Sequence, residues 1–516
     1  MNAAETSSLP DRGPSATLLL ALLALAKLAL HAPAVTQYGY FRDELYYLAC
    51  AHHLAWGYVD QPPLSIGVLA LSTKLLGTSL VALRVVPALA GALTVVIAGL
   101  IARELGGGKF AQALAAIGAL ASPIYLAIDH YYSMNALDLL LWALAAWQLL
   151  RALRAGDALK PWLLFGVVVG LGLLNKLSML WFAGGVGVGL LLTAHRVRLR
   201  SLGPWLAALV AGLIFVPHVF WQMQNGWPTR EFVHNAVAHK MVKLEIVKFL
   251  IDQIVDMNPL SAPVWLAGLV AAFTAVWARG ARAFGWIFVA VLAILIANGS
   301  ARSEYLAPAY PMLLGLGAVA VERASTTRRW MRVAVLALPV VGLAPLLPLS
   351  IPILPVERFI AYQKALGLAP ATEERHAMGS LPQHYADMFG WQEMAAGVAR
   401  GFATLTPDER KHCVVYGQNY GEAGAIDFFG SRYGLPRAIS GHNSYWFWPP
   451  TADEVHVVLI IGGNPEDHAR TFDRVEPVAT IANPYGMPYE RDLTVYACRG
   501  IKVPLALAWS RSKHYD

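Results

Sequence analysis

Charge is scarce in this chain. Asp, Glu, Lys and Arg make up 14% of its 516 residues, against about one quarter in a typical soluble domain. With 57% hydrophobic residues and a mean hydropathy of +0.49, the chain needs a solvent other than water. Cysteine is nearly missing too. Cys50, Cys413 and Cys498 form no CxxC pair, which excludes a zinc knuckle and a thioredoxin-type site. Phosphate-cradling loops are absent: GGGK at 106–109 lacks the Walker spacing, and GGN at 462–464 reads as a tight turn. The histidines offer no convincing metal set. His52 and His53 are adjacent and point apart, and His234 and His239 miss the i, i+4 spacing. There is no internal repeat and no low-complexity tract. The net charge of +7 sits in small clusters between apolar blocks, which orients a chain in a membrane and gives no sign of nucleic acid.

What is present is a series of apolar blocks near the length that a bilayer core of roughly 30 Å demands. Eleven spans are expected, near 16–36, 80–102, 109–128, 134–152, 160–175, 177–194, 202–222, 260–278, 283–299, 304–321 and 332–351. The first follows a short polar N-terminus, Met1–Ser15, and is too long for a signal-peptide core, so it reads as retained. The segment 62–78 is shorter, opens with Pro62-Pro63 and carries Lys74. Placed at the outer interface, it leaves Arg103/Lys109, Arg151/Arg154/Lys160, Arg196/Arg198/Arg200, Arg279/Arg282 and Arg323/Arg328/Arg329/Arg332 in short loops on one side. The positive-inside rule makes that side cytoplasmic; a spanning 62–78 would break the rule throughout. On the other side lie loop 37–79 and loop 223–259. The second contains KMVKLEIVKFLIDQIV, whose helical spacing suits a helix on the membrane surface.

After Pro355 the composition turns polar. HCVVYG and EVHVVLIIGG read as buried strands running into glycine turns, and GEAGAIDFFGSRYG as a helix between glycine-rich breaks. The expected organisation is a transmembrane domain over 1–355 and a small soluble α/β domain over 356–516. With a cytoplasmic N-terminus, eleven spans put the second domain outside, where disulfides form. Cys413 paired with Cys498, and both unpaired on strands, stay open as equal alternatives, because spacing fixes no geometry.

Chemistry-bearing residues gather on the outer side. Arg42, Asp43 and Glu44 follow the first span. Neighbouring acids on a helix point about 100° apart, so one of the two faces any given site. It would be a general base or metal ligand, the plainer alternative being a hydrated interface charge. Asp60 precedes Gln61-Pro62-Pro63 in the same loop. Asp129-His130-Tyr131-Tyr132 and Asn135 lead to Asp138, one turn inside an apolar helix, where a carboxylate is costly unless paired or facing a wet cavity. Asn175-Lys176 interrupts two apolar blocks, and Arg302, Glu304 and Tyr305 form a third outer cluster. Arg42, Lys176 and Arg302 together suit a lipid-linked phosphate, while each alone reads better as an interfacial anchor. Arg84 reads as an anchor that snorkels to the headgroups.

These motifs, in this order, resemble a known family. FRDELYYLA with DQPPL and then Arg84-Val85-Val86-Pro87 resembles the first outer loop of bacterial GT-C glycosyltransferases. These are the relatives of the protein O-mannosyltransferases and of the lipid A aminoarabinose transferase. YYSMNALDLLLW resembles their Asp-bearing fourth span, GLGLLNKLSML their glycine-leucine-lysine segment, and SEYLAPAYPMLL their Tyr-Leu-x-Pro-x-x-Pro span. The resemblance covers about residues 15–350. It implies a GT-C-like bundle with interfacial helices in the bacterial inner membrane, and a C-terminal periplasmic domain. The implied enzyme is a hexosyl- or pentosyltransferase. It would move a sugar from a polyprenyl-phosphate donor to a lipid, glycan or protein acceptor on the outer face, with inversion. By the same likeness Asp43, with Glu44 beside it, and Asp138 are the catalytic acids. Arg42, Asp60, Lys176, Arg302 and Tyr305 belong to the donor phosphate site. No cofactor is fixed by the sequence; a divalent metal ion stays open, and it would take Asp43 and Glu44. One departure stands out: Gln61 replaces the lysine that the aminoarabinose branch carries before the proline, which argues against that donor. The tract NYGEAGAIDFFG to SYWFWPP resembles the C-terminal domain of uncharacterised members of the group, to which no role attaches. Two rivals are a lipid or sugar transporter or flippase, and a non-catalytic envelope assembly protein. The first lacks repeats and midplane charge; the second would tolerate loss of Asp43.

Overall fold

The computed structural model describes residues 9–370, 372, 374–452 and 455–516. Residues 1–8 of the expected polar N-terminus and Glu454 of the second expected strand lie outside them. The chain divides into two compact units, one of Met1–Gln37, Arg84–Phe220 and Lys243–Leu354, the other of Tyr38–Leu83, Trp221–Val242 and Pro355–Asp516.

The first unit is helical. Among the described residues, six of its helices are long and apolar enough to cross a membrane: Leu80–Glu104, Met134–Ala155, Leu202–Gln224, Val276–Asn298, Ser303–Ala324 and Arg329–Ser350. Leu80–Glu104 begins just before the unit boundary at Arg84. A seventh arises if Met179–Leu191 and Ala194–Arg200, which meet at 106°, count as one span. The other four expected spans are the helices Thr17–His31, Lys109–Leu120, Leu159–Asn175 and Ala262–Thr274. They have 15, 12, 17 and 13 residues. At 1.5 Å per residue that is about 18–26 Å, short of a bilayer core. Expected span 109–128 is shortened because Pro123 starts a separate helix, Pro123–Ile128. Only 22% of the apolar window is buried in Leu202–Gln224 and in Arg329–Ser350, so both helices leave most of that window exposed, as a lipid-facing helix would.

Small residues let these helices approach closely. A Cβ on Gly317 would overlap the Val264 carbonyl, and one on Gly268 the Leu313 carbonyl, so Ala262–Thr274 and Tyr310–Ala324 meet backbone to backbone. Two charges are also enclosed. Lys27, from the first apolar helix, lies 2.8 Å from Asp129, and both are buried. Arg84 is buried as well and donates to the Val35 carbonyl at 2.8 Å, so it ties down the turn after the first helix and does not snorkel as expected.

The second unit contains the mixed sheet. Its strands are β1 (Cys413–Tyr416), β2 (Ala438–Ile439), β3 (Val457–Ile461), β4 (Phe472–Ile481) and β5 (Leu493–Ile501), in the order β2-β1-β3-β5-β4. β2, β1 and β3 are parallel; β5 and β4 add antiparallel. β1 and β3 are almost wholly buried, as strands covered on both faces must be. The hairpin β4–β5 is the part that the sequence pattern does not mark, because β4 is exposed along most of its length. The three cysteines are free. Cys413 pairs with Val457 and Cys498 with Val458, so β3 separates them. Two strand spacings, roughly 9–10 Å, exceed the reach of a disulfide.

The enclosed Lys27–Asp129 pair makes a prediction. Lys27→Met leaves a buried, uncompensated carboxylate and should cost about 3–5 kcal/mol. In detergent, the thermal midpoint of that variant should fall well below that of Lys27→Met/Asp129→Leu. Equal losses would mean the pair is not what holds the two helices.

Candidate active site

Residues 38–79 of the first polar loop lie in the second unit. Phe41, extended, precedes the helix Arg42–His52 and serves as its N-cap, and Glu44 Oε2 accepts from the Phe41 backbone N–H at 2.8 Å. This occupies Glu44, which is fully buried. Asp43 points elsewhere. Its Oδ1 accepts from the Tyr420 hydroxyl at 3.0 Å and lies 3.8 Å from Arg42 Nε, and its side chain stays 30% exposed. Asp43 is thus the accessible acid of the two, and the pair does not converge as metal ligands would.

Arg42 is buried beneath it. Its guanidinium reaches Asp387 at 3.5 Å, donates to the Tyr489 hydroxyl at 2.8 Å and lies 5.4 Å from the centre of the Tyr420 ring. Burial raises the Asp387 carboxyl to about 6, against the opposing pull of Arg42. Two glycines explain the closeness. A Cβ on Gly421 would strike the Arg42 side chain, and one on Gly424 would sit 2.9 Å from the Leu45 carbonyl carbon. The helix Tyr420–Phe429 therefore lies directly against Arg42–His52.

Asp60 is held by Tyr46. The Tyr46 hydroxyl donates to Asp60 Oδ1 at 2.8 Å and accepts from the Ser444 N–H at 3.3 Å; Ser444 Oγ accepts in turn from the Val59 N–H at 3.1 Å. Burial pushes the Asp60 carboxyl up to about 6, partly offset by the Tyr46 hydrogen bond. Gln61 is buried, with Oε1 accepting from Ser65, and its Nε2 has no hydrogen-bond partner among the described residues.

The first unit assembles a second group. Asp138, buried near the start of Met134–Ala155, accepts from Ser178 Oγ with both oxygens, each at 2.8 Å. Lys176 Nζ lies 3.8 Å from Asp138, donates to Asn135 Oδ1 at 2.7 Å and sits 5.1 Å from the Tyr305 ring centre. Trp181 flanks that ring at 6.0 Å. Arg302 lies three residues before Tyr305 and pairs with Glu304 at 3.8 Å. Asp138, Lys176 and Tyr305, far apart in sequence, thus meet.

Sequence reasoning missed Tyr420, Asp387, Ser444 and Ser178. Only the Asn-Tyr-Gly-Glu-Ala-Gly spacing, with glycines at 421 and 424, could have pointed to a helix pressed on another element. A metal-ligating group also emerges that spacing could not reveal: His442, His514 and Asp516 bring ligand atoms within 4.8 Å of one another. It is at the same time a hydrogen-bonded clasp, since His442 Nε2 is 3.0 Å from the Asp516 main-chain oxygen.

These features define a helical membrane fold with a small α/β appendage. The family model for dolichyl-phosphate-mannose-protein mannosyltransferase matches residues 60–221, a stretch that includes Asp60, Asp138 and Lys176. ArnT from Cupriavidus metallidurans, in the crystal structure bound to undecaprenyl phosphate, superposes with a TM-score of 0.62 at 16% identity over 94% of this chain and 98% of that one. Its apo structure gives 0.59 over the same shares. The apo oligosaccharyltransferase of Archaeoglobus fulgidus gives 0.47 at 13% identity, over 77% of this chain and 59% of that one. No curated protein sequence matches the chain. The chain is thus similar to ArnT in fold, and residues 60–221 match the mannosyltransferase family model.

The Asp60 carboxyl yields a pH prediction. Its folded value of about 6 lies above the ordinary 3.8, so the folded state holds this proton more tightly than the unfolded state. Stability from this group therefore falls as pH rises from 3.8 to about 6 and is level above. Asp60→Asn removes the penalty. The variant's thermal midpoint minus that of wild type should be larger at pH 7.5 than at pH 4.5; a difference independent of pH would mean Asp60 is not buried as described.

Proposed function

We propose that this protein is a membrane glycosyltransferase. It transfers a hexosyl or pentosyl group from a polyprenyl-phosphate donor to an acceptor hydroxyl on the outer face of the bacterial inner membrane, with residues 356–516 periplasmic. The observation that carries the reading is the ArnT-like fold along 94% of the chain, with one matched structure holding undecaprenyl phosphate. The match to the mannosyltransferase family model supports it independently.

In this mechanism Asp43 is the general base. It is accessible, and Tyr420 and Arg42 fix its direction. As it takes the proton of the acceptor hydroxyl, that oxygen attacks the anomeric carbon. The bond from that carbon to the phosphate oxygen breaks, and polyprenyl phosphate leaves with the electron pair. A phosphate is a good leaving group and needs no proton. Lys176 carries the cation for it, with its ammonium oriented by Asn135, Asp138 and the Tyr305 ring, and Arg302 supplies a second. Asp138 helps to hold Lys176 in place, and Ser178 donates to its oxygens. Asp60, tied to Tyr46, shapes the loop that carries the donor. Glu44, committed to the helix start, is a positioning residue, and no step needs a metal.

The test uses the purified protein in lipid nanodiscs with a panel of polyprenyl-phosphate sugars, following release of polyprenyl phosphate. Asp43→Asn should lower turnover by about 10²–10⁴ and leave donor affinity unchanged. Lys176→Gln should weaken donor binding and slow turnover together. Full turnover by Asp43→Asn would remove it as base. A wild type that neither binds nor cleaves any donor would overturn the transferase reading.

A further inference from the structure

The two faces of the C-terminal sheet are covered unequally. One carries Val415, Leu459 and Val495 and packs under the helices Trp391–Ala403 and Tyr420–Phe429. The other presents Val414, Ile439, Val458, Ile460, Phe472 and Cys498 as one cluster, with Trp509 against it. The short helix Leu505–Ser512, which carries Trp509, has no fully buried residue. Between that helix and the sheet remains a cavity of about 370 Å³.

Topology explains its place. β1 lies between β2 and β3, so the connections on its two sides diverge at the carboxyl ends of β1 and β3. Such a divergence opens a crevice, the habitual ligand site of open α/β sheets. The turn after β3 is Gly462-Gly463, with φ of 64° and 79°. A Cβ on Gly463 would come within 2.8 Å of both Gln418 and His468, so the bare turn brings these two side chains to the mouth. The Gln418 side-chain amide makes no hydrogen bond among the described residues, although its backbone N–H is bound to Glu422. Trp509 forms a wall, its ring fixed by Nε1 donating to the Trp446 carbonyl at 3.1 Å.

This lining selects a chemistry. The floor and one wall are apolar or aromatic, the mouth offers an amide and an imidazole, and among the described residues its single acid, Asp467, is matched by its single guanidinium, Arg511. An anion would meet no surplus of positive charge. A wholly apolar chain would leave the amide unpaired at a cost. A pyranose satisfies both sides: its C–H face stacks on indole, and each hydroxyl both donates and accepts, as an amide does.

We infer that this cavity binds one neutral hexose unit. The inference rests on the transferase reading in one respect, that the sugar belongs to the acceptor glycan, which residues 356–516 would then hold. The test titrates the full-length protein in nanodiscs with methyl glycosides of neutral hexoses, using saturation-transfer NMR and calorimetry. At least one should bind in the millimolar range. Gln418→Ala, which removes the amide, and Ala508→Phe, which fills the cavity, should each weaken it by about tenfold or more. Donor affinity of Gln418→Ala should be unchanged. If no glycoside binds, or if both variants bind as wild type does, the cavity is not a sugar site. Glycoside binding without donor cleavage would keep the cavity and sink the transferase reading; cleavage without binding would do the reverse.

Discussion

A buried guanidinium organises loop 37–79. Arg42 is shut away from water, and a charge so placed must be answered by charges and hydrogen bonds on the spot. Asp387, Tyr489, Tyr420 and Asp43 all answer it, and three of the four come from the chain beyond Pro355. The loop that carries the accessible acid therefore cannot take its shape without the C-terminal segment. The glycines at 421 and 424 follow from the same demand, since any side chain there would hold Tyr420 away from Asp43.

The first unit solves a parallel problem with the opposite sign. There a carboxylate, Asp138, is enclosed, and a serine and a lysine satisfy it. The lysine is then left with one polar anchor and one aromatic face, Asn135 and Tyr305. An ammonium so fixed is a preorganised electrostatic group, able to stabilise charge as it develops without paying for reorganisation. Lys27 with Asp129 is the structural counterpart, closed on both sides.

Much of this was legible in the sequence and some was not. Length and polarity mark the long spans well, since an apolar run as long as Leu80–Glu104 suits a bilayer and little else. They mark Lys109–Leu120 poorly, because the Pro123 break splits an apolar block that composition reads as one. Asp138 and Lys176 stood out as charges in apolar surroundings, where a charge needs a reason. Ser178 did not, because a serine is at home in any turn between spans. Likewise Asp43 was visible beside Glu44, but only the backbone shows that Glu44 caps the helix and Asp43 does not. Tyr420 and Asp387 were invisible for a general reason: contacts across 377 and 345 residues leave no local pattern.

The proposed reaction is a single displacement, in which Asp43 activates an acceptor hydroxyl and no sugar is ever bound covalently to the protein. The anomeric configuration of the transferred sugar tests this most directly. It would be read by NMR on product made from a donor of known anomeric configuration. Direct displacement predicts the opposite configuration in the product. Retention of the donor's configuration would mean two displacements through a covalent intermediate, and would contradict Asp43 as a base.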